Sequence, residues 1–354
     1  MADEVTVFKR LKWARRASGQ DPILALGEVM IDHTAKEMRI GDGIKKFSEL
    51  TDIVPLDVTQ FGLEATGTLG GLKDDVKNGP AYVSNKYPLG TQIVVDWKSS
   101  DGTIYQCPWD IVNYQTVTLE GGTTSNAMII QCHYALPVSG IVFDAPEPTN
   151  TNTTRNTGGN NRYLHSAVRQ WLNSDADAGE WWTAQHSTDA APAYAATEPG
   201  FLAGFSAEFV ELLSPVRVKT ATADLDNNVV DTTYDRVWLP SKEELYSVVD
   251  TTNSSVSIDN VEGPYWEYWK TRMDTNSPAI DNDSSNITNR VTYVISDHSS
   301  AHVIWLRSAY RSNPDRAWCI RSDGTLNYAT VSNNVSGILT TPAAAILLGD
   351  DPAP

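Results

Sequence analysis

The sequence is poor in cysteine and lacks any long apolar run. Three cysteines in 354 residues, with no Cys-x-x-Cys pair, exclude a disulfide framework and a four-cysteine zinc site. No stretch approaches the roughly 20 consecutive apolar residues that a membrane span needs, so no membrane partner is expected. The opening residues Met-Ala-Asp-Glu lack the basic and apolar regions of a secretory signal. We therefore expect the protein to be made in a cytoplasm.

Positive charge is also scarce. The chain has 27 lysines and arginines against 44 aspartates and glutamates, which gives a formal net charge of −17 at pH 7. Nucleic acid is therefore not expected as a partner, because phosphate backbones are bound by basic surfaces. Residues 1–46 differ from the rest, since they carry 9 basic and 7 acidic residues. This contrast predicts that the N-terminal region has a partner of its own.

Apolar and aromatic residues are abundant. Hydrophobic residues make up 41 % of the chain, and it contains 11 tryptophans and 14 tyrosines. A chain of this composition can build a large core, which excludes a wholly disordered protein. At roughly 100–200 residues per domain, its length predicts two or three domains.

The N-terminal region has the pattern of a hairpin. Val29 and Ile31 alternate with other residues, as do Met38 and Ile40, and a Gly-Asp-Gly turn follows. This pattern predicts a β-hairpin that needs partner strands or chains, because a lone hairpin is unstable. Residues 5–13 also alternate like a strand. The glycines of 56–80 predict a jointed linker with one short helix.

The remaining chain alternates between strand, helix and polar patterns. Helices are predicted at 163–172 from apolar spacing, and at 207–213 and 242–249 from a Ser206 cap and a Ser241–Glu244 capping box. Another is predicted at 263–272, and the polar runs 146–161 and 274–290 are expected to be exposed loops. Helices lying between two groups of strands predict the α+β class. The predicted strands are 92–97, 103–106, 115–119, 127–134, 140–143, 291–295, 302–306, 317–321, 325–330 and 340–348.

No pattern in the sequence points to catalysis or to a metal. The six histidines are scattered without an HExxH motif, so they are expected to be ordinary surface or core residues. Asp224-x-Asp226-x-Asn228 resembles the start of a calcium loop, but Val229 stands where the sharp turn needs glycine. An acidic surface loop is the preferred interpretation. Ser206 lies outside any Gly-x-Ser-x-Gly motif, and a helix cap explains it.

The segment 307–334 is unusually dense in Arg, Asn, Ser, Asp and Tyr. Tyrosine offers rigid contact area and the small polar side chains offer adaptable hydrogen bonds, which is typical of a recognition surface. A polar hairpin around Ser322-Asp-Gly324 explains the same composition. The residues alone leave both interpretations open.

One set of motifs near the N-terminus resembles a known family. Gly27-Glu-Val-Met-Ile-Asp is followed by Arg39-Ile-Gly-Asp-Gly43 and by Phe47-Ser-Glu-Leu50. This ordered set is similar to the N-terminal module of phage tail-fibre and tropism-determinant proteins. The resemblance implies an intertwined, usually trimeric β-structure that attaches the protein to other virion proteins.

A second set of motifs covers roughly 104–348. It includes Tyr163-Leu-His-Ser-Ala-Val-Arg-Gln-Trp-Leu-Asn173, Thr233-Tyr-Asp-Arg-Val-Trp-Leu-Pro-Ser241 and Trp305-Leu-Arg-Ser-Ala-Tyr310. These motifs resemble a domain family of phages and gut bacteria with the C-type lectin-like fold. Ala317-Trp318 and Ser322-Asp-Gly324 are similar to the variable region that diversity-generating retroelements mutate in phage receptor-binding proteins.

This second resemblance implies exchangeable ligand contacts on a fixed backbone, in a variable region at about 305–346. Trp305, Leu306, Arg307 and Trp318 are then scaffold. The implied ligand contacts are Tyr310, Ser312, Asn313, Asp315, Arg316, Arg321, Asp323, Thr325, Asn327, Tyr328 and Thr330.

The sequence differs from the families that it resembles in the number and position of its cysteines. Related sequences often end in a strand with a cysteine pair, which Thr340-Thr-Pro-Ala-Ala-Ala-Ile346 replaces here. Formylglycine-generating enzymes share the lectin-like fold but work through a cysteine pair. This region has Cys319 alone, which argues against that chemistry. No catalytic residue, cofactor or metal is expected.

Together these features predict a non-catalytic phage structural adhesin. Residues 1–55 are expected to attach to the virion as a homotrimer, 56–103 to join, and 104–354 to form a lectin-like domain that binds a bacterial surface glycan or protein. One alternative is a head fibre or capsid decoration protein with the same domain. Another is a glycan-degrading tail enzyme. A bacterial surface adhesin is disfavoured by the missing signal sequence.

Overall fold

The computed structural model describes residues 29–32, 37–40, 44, 46, 48, 53–55, 69–136, 138, 141–246, 261–272, 291–333 and 338–349. The chain divides into two compact units, Met1–Glu64 and Ala65–Pro354. Helices and strands both occur, which confirms the predicted α+β class. The predictions for 5–13, 41–43 and 274–290 lie outside the described residues.

The smaller unit contains a three-stranded antiparallel sheet. Its strands are β1 (Val29–Asp32), β2 (Glu37–Ile40) and β3 (Ile53–Pro55), in that order. Val29 pairs with Ile40 across the first two strands, which confirms the predicted hairpin. β3 pairs along the other edge of β2 and supplies the partner strand that an isolated hairpin lacks.

The larger unit contains seven α-helices and twelve strands among the residues described. Its helices are α1 (Leu69–Asp75), α2 (Pro80–Lys86), α3 (Thr153–Gly158), α4 (Ala167–Leu172), α5 (Ala207–Leu212), α6 (Lys242–Tyr246) and α7 (Glu267–Arg272). Its strands are β4 (Gln92–Lys98), β5 (Ile104–Thr118), β6 (Thr124–Cys132), β7 (Val216–Ala221), β8 (Val230–Asp235), β9 (Val237–Trp238), β10 (Thr292–Tyr293), β11 (Ala301–His302), β12 (Ile304–Ala309), β13 (Arg316–Ile320), β14 (Leu326–Thr330) and β15 (Ala343–Leu347). No helix within these described stretches is long and apolar enough to cross a membrane.

A five-stranded sheet with the order β4-β5-β6-β15-β9 forms the base of the larger unit. β15 pairs with β6 on one side and with β9 on the other, so this strand lies inside the sheet. Its residues Ala343, Ala344 and Ala345 are fully buried. Small apolar side chains suit a strand that is covered on both faces. The predicted strand over 340–348 is confirmed.

Two sequence predictions about the strands are wrong, and the predicted joining region has different bounds. The two short strands expected at 103–106 and 115–119 are one strand, β5, which shifts register between Ile111 and Asn113. Residues 141–143 do not form a strand. β4 pairs with β5 along its whole length, so 92–98 belongs to the larger unit rather than to a joining region over 56–103. β5 is continuous because it pairs with the neighbouring strands β4 and β6.

The helices begin where the side-chain caps predict. The hydroxyl of Ser206 accepts a hydrogen bond from the Phe209 amide at the start of α5. Ser241 and Glu244 each accept a hydrogen bond from the other's backbone amide, at 3.1 and 2.9 Å, which confirms the capping box of α6. Ser166 also caps α4, and it divides the helix predicted over 163–172 into a short 3₁₀ turn and α4.

A buried arginine connects β12 to other elements of the larger unit. Arg307 of β12 is 0 % exposed, and its guanidinium forms a bidentate ion pair with Glu244 of α6 at 2.6 and 3.1 Å. It also donates to the backbone carbonyls of Lys219, Leu239 and Glu262. All five N–H groups are thereby used, which is what a buried guanidinium requires.

Glu262 extends the same network. Its carboxylate accepts hydrogen bonds from the Ala221 amide and the Ser308 hydroxyl. That hydroxyl in turn accepts from the Lys242 amide at 2.9 Å. The network therefore joins β7, α6, β12 and the segment before α7 through groups with almost no access to water.

Removal of the buried arginine is expected to be costly. Arg307→Met leaves Glu244 as an unpaired buried carboxylate and should lower the free energy of unfolding by about 3–5 kcal/mol. Arg217→Met, at an exposed position of β7, should change it by less than about 0.5 kcal/mol. Urea denaturation of both variants measures the difference. An equal, small effect at the two positions contradicts the role given to Arg307.

Glu262 is expected to make stability depend on pH. Burial raises the pKa of its carboxyl from 4.5 to about 7, with Arg307 acting in the opposite direction. Because the folded chain then holds a proton that the unfolded chain has released, stability falls as pH rises from about 4.5 to about 7, by up to about 3 kcal/mol. Urea denaturation at pH 5 and pH 8 should show a smaller loss for Glu262→Gln than for the wild type. Glu267→Gln, at an exposed site, should leave the loss unchanged.

Candidate functional site

The predicted ligand contacts lie on and around a three-stranded antiparallel sheet, β12-β13-β14. Trp318 pairs with Tyr328 and Cys319 pairs with Asn327 across β13 and β14. Because cross-strand partners point to the same side, these two pairs lie on opposite faces of the sheet. The scaffold residues are all buried, as expected: Trp305, Leu306, Arg307 and Trp318.

One face carries an aromatic cluster, which consists of Tyr310, Trp318 and Tyr328. The two tyrosine rings stack with their centroids 4.0 Å apart, and each meets Trp318 at a steep angle. Lys242 places its ammonium 3.8 Å from the centre of the Trp318 ring, and the Arg316 guanidinium lies 5.2 Å from that of Tyr328. The cluster fixes the orientation of both tyrosines and of Arg316 through packing and cation–π attraction.

An open concavity of about 460 Å³ lies beside β14. Its lining is mainly polar, with guanidinium, amide and hydroxyl groups in reach of a ligand. Six of the predicted contacts line it: Arg316, Arg321, Asp323, Asn327, Tyr328 and Thr330. The other five do not: Tyr310, Ser312, Asn313, Asp315 and Thr325. Sequence reasoning did not name the other six lining residues as contacts: Val303, Cys319, Ser322, Ala329, Asn333 and Ile338.

The predicted contacts differ in exposure. Ser312, Arg321 and Asp323 are exposed, whereas most of the others are half-buried. The guanidinium of Arg321 makes no hydrogen bond or ion pair with any residue that the structure describes. Asp323 accepts hydrogen bonds from the Thr325 amide and hydroxyl, which hold its pKa below the usual value. Asp323 thus shapes the turn before β14, and Arg321 has its donors available to a ligand.

Asp315 is buried, unlike the exposed contact that the resemblance implies. It is 9 % exposed, and burial raises the pKa of its carboxyl. Its backbone carbonyl accepts from the Val331 amide at 2.8 Å, and its side chain packs against Gly158 at the end of α3. A residue in this position shapes the loop rather than presenting a free side chain.

The polar run 146–161 supports the same loop, and the prediction that it is exposed is wrong. It contains α3 and the buried residues Glu147, Arg155, Asn160 and Asn161. The amide of Asn161 donates to the carbonyls of Asn313 and Arg316 at 2.9 and 2.8 Å. These hydrogen bonds with residues about 150 positions away explain why part of this polar segment is buried. No local pattern in the sequence predicts them.

The candidate calcium loop also contributes to this support. Asp224–Asp226 forms a 3₁₀ turn, and Asn227 and Asn228 follow with positive φ. Asp226 is paired with Arg155 at 2.5 Å, and the Asn228 side chain accepts from Arg311 at 2.6 Å. The carboxylate and amide oxygens thus serve contacts within the protein, which agrees with the preference for a non-calcium loop.

Cys319 lines the concavity but is a poor nucleophile. It is 1 % exposed, and burial raises its pKa to about 12. The thiolate, which is the reactive form, is therefore scarce at neutral pH. The groups around the concavity are suited to hydrogen bonding, charge pairing and aromatic contact with a ligand.

A family comparison covers most of the larger unit. Residues 125–345 match the family described as Domain of unknown function (DUF6273). The chain belongs to this family. No curated protein and no solved structure matches the chain significantly. The DUF6273 region begins in β6 and ends in β15, and it includes every residue that lines the concavity.

The packing of Asp315 on Gly158 in the DUF6273 region is open to a direct test. A Cβ added at Gly158 lies 2.7 Å from the Cβ of Asp315, so Gly158→Ala should lower the free energy of unfolding by about 1–3 kcal/mol. Gly71→Ala is the matched control, because Gly71 lies in α1 with nothing within 4 Å of an added Cβ. It should keep or raise stability. If thermal or urea unfolding shows no loss for Gly158→Ala, Asp315 is not packed as described.

Proposed function

We propose that the protein is a structural adhesin of a phage, and that it binds a bacterial surface glycan or protein through the concavity beside β14. The observation that carries this proposal is the gathering of six predicted contact residues around one polar concavity, above a buried scaffold. Binding sites need accessible polar groups on a rigid support. The C-type lectin-like identity of the domain is part of the proposal.

The chemistry of the concavity favours a ligand that offers acceptor groups. The donors of Arg321 are not used by any residue that the structure describes, and Arg316 lies against the face of Tyr328 with its side chain 39 % exposed. Asn327 and Thr330 add an amide and a hydroxyl on the neighbouring strand. Hydroxyls and carboxylates of a surface glycan, or carbonyls of a protein loop, suit such donors.

The smaller unit has the second role in this proposal. β1 and β2 lie in the motifs that resemble the attachment module of phage tail fibres. We assign to this unit attachment to the virion and assembly into a homotrimer. Several weak sites on one particle then act together, because each bound copy raises the effective concentration of the next.

Two other functions are separable from this one by experiment. A head fibre or capsid decoration protein has the same binding chemistry, and labelled antibodies on intact particles locate the protein on tail or head. A glycan-degrading enzyme releases smaller products from envelope polysaccharide.

The proposal predicts loss of cell binding without loss of fold. Fluorescently labelled full-length protein is incubated with a panel of bacterial strains, and flow cytometry measures the bound label. On strains labelled by the wild type, Arg321→Ala/Asn327→Ala should reduce binding at least tenfold, because it removes donors from the concavity, and the melting temperature should change little.

The matched control lies on another hairpin of the same unit. Arg217→Ala/Thr232→Ala changes an exposed arginine and an exposed polar residue of β7 and β8. It should bind like the wild type. Equal binding by the Arg321→Ala/Asn327→Ala variant would falsify the placement of the site, and release of shorter polysaccharide by the wild type would contradict a non-catalytic role.

A further inference from the structure

A second cluster with ligand chemistry lies outside the concavity. It consists of Glu147, from the segment that follows β6, with His186 and Asp189 from the loop that follows α4. One ligand atom from each lies within 4.8 Å of the others. The side chain of Glu147 is 1 % exposed and that of Asp189 10 %, whereas His186 is open to solvent at 33 %. The cluster is therefore largely buried but reachable.

The imidazole of His186 is oriented by Asp189. Its Nδ1 contacts the Asp189 carboxylate, and a carboxylate can only accept, so Nδ1 carries a proton there. Asp189 is itself held by the backbone amides of Gln185 and His186, at 2.5 and 3.0 Å. This arrangement directs Nε2 toward Glu147. A carboxylate that fixes a histidine through its second nitrogen is the usual outer partner of a metal-bound imidazole.

The separation between His186 and Glu147 suits an ion better than a hydrogen bond. Nε2 of His186 lies 3.8 Å from Oε1 of Glu147, which is beyond hydrogen-bond range. Two bonds of about 2.0–2.2 Å to one zinc-like ion span that distance at an open angle. Glu147 is held in place by the side-chain amides of Asn150 and Asn160, the latter at 3.1 Å.

A further nitrogen lies beside the cluster. The ring of His165 packs against that of His186 with centroids 5.1 Å apart. The Nδ1 atom of His165 is buried and has no hydrogen-bond partner among the residues that the structure describes. This arrangement favours a cation held partly by nitrogen.

We propose that Glu147 and His186 bind a divalent transition-metal ion of the zinc class, with Asp189 as the positioning residue for His186 and His165 as the nearest additional ligand. Imidazole together with carboxylate is typical of such ions, whereas Ca²⁺ and Mg²⁺ take oxygen ligands. The site is independent of the proposed adhesin function, because none of these residues lines the concavity.

Calorimetric titration of chelator-treated full-length protein with ZnCl₂ at pH 7.5 tests the proposal. The wild type should bind one equivalent. His186→Ala and Glu147→Gln should abolish saturable binding, and Asp189→Asn should weaken it about 10–100-fold, since it removes the partner that orients the imidazole. CaCl₂ in the same titration should give no binding.

His133→Ala is the matched control. His133 has the same side-chain exposure as His186, 33 %, and its Nδ1 also pairs with an aspartate, Asp110, at 2.6 Å. It should bind ZnCl₂ like the wild type. Circular dichroism and thermal unfolding of each metal-free variant establish that it is folded, and Asp189→Asn, which alters a partly exposed loop, provides a second readout if Glu147→Gln is unstable.

Three outcomes overturn the proposal. They are the absence of zinc binding by the wild type, equal binding by the wild type and His186→Ala, and binding of Ca²⁺ in preference to Zn²⁺. Each leaves His186 as a histidine that is ion-paired between two carboxylates. Loss of cell binding by the concavity variant has no bearing on this result, so the two proposals fail separately.

Discussion

The buried ion pair between Arg307 and Glu244 is the constraint on which the larger unit depends. A guanidinium with no access to water needs acceptors for its five donors, and these acceptors come from α6 and from three backbone segments that are distant in sequence. Each of those segments has to be in place before the charge is compensated. The pair therefore acts less as a source of net stability than as a specification of one arrangement, because buried pairs gain little over apolar packing but penalise any alternative that separates them.

The same constraint explains why a polar surface can lie over this part of the fold. Arg307 fixes β12 to the buried network. The Ser308 hydroxyl donates to the Glu262 carboxylate and accepts from the Lys242 amide at the start of α6. β13 then pairs with β12 across a register shift between Trp305 and Ala309, and β14 pairs with β13 in an uninterrupted register. Apart from Tyr328, which stacks on Tyr310, the side chains that face the concavity are not needed to hold these strands, since the backbone ladder and the buried tryptophans do so. Most binding residues can differ there without loss of the scaffold, which is what the exchangeable contacts implied by the resemblance require.

Much of the secondary structure could be predicted from sequence because its causes are local. The caps at Ser206 and Ser241 act within one helical turn, and the hairpin of β1 and β2 alternates with a period of two. What sequence could not predict depends on tertiary pairing. β5 is a single strand because its neighbours β4 and β6 pair with it along both edges, and part of the polar run 146–161 is buried because the Asn161 amide meets carbonyls of the loop 313–316. The cluster around His186 could not be predicted for the same reason, since Glu147 and Asp189 are 42 positions apart and do not form a metal-binding sequence motif.

The predicted contacts therefore divide by how each is held. The side chain of Asp315 packs against Gly158, and its backbone carbonyl accepts a hydrogen bond from the Val331 amide. Tyr310 and Tyr328 stack on each other beside Trp318. Substitution at these positions alters packing as well as recognition. Arg321, Ser312 and Asn327 have no comparable enclosure. A ligand surface built in this way has a stable aromatic floor with adaptable polar groups at its edge. If the chain diversifies, the physical expectation is that the polar edge changes freely while the aromatic floor and the Asp315 loop change only together with the residues that pack on them.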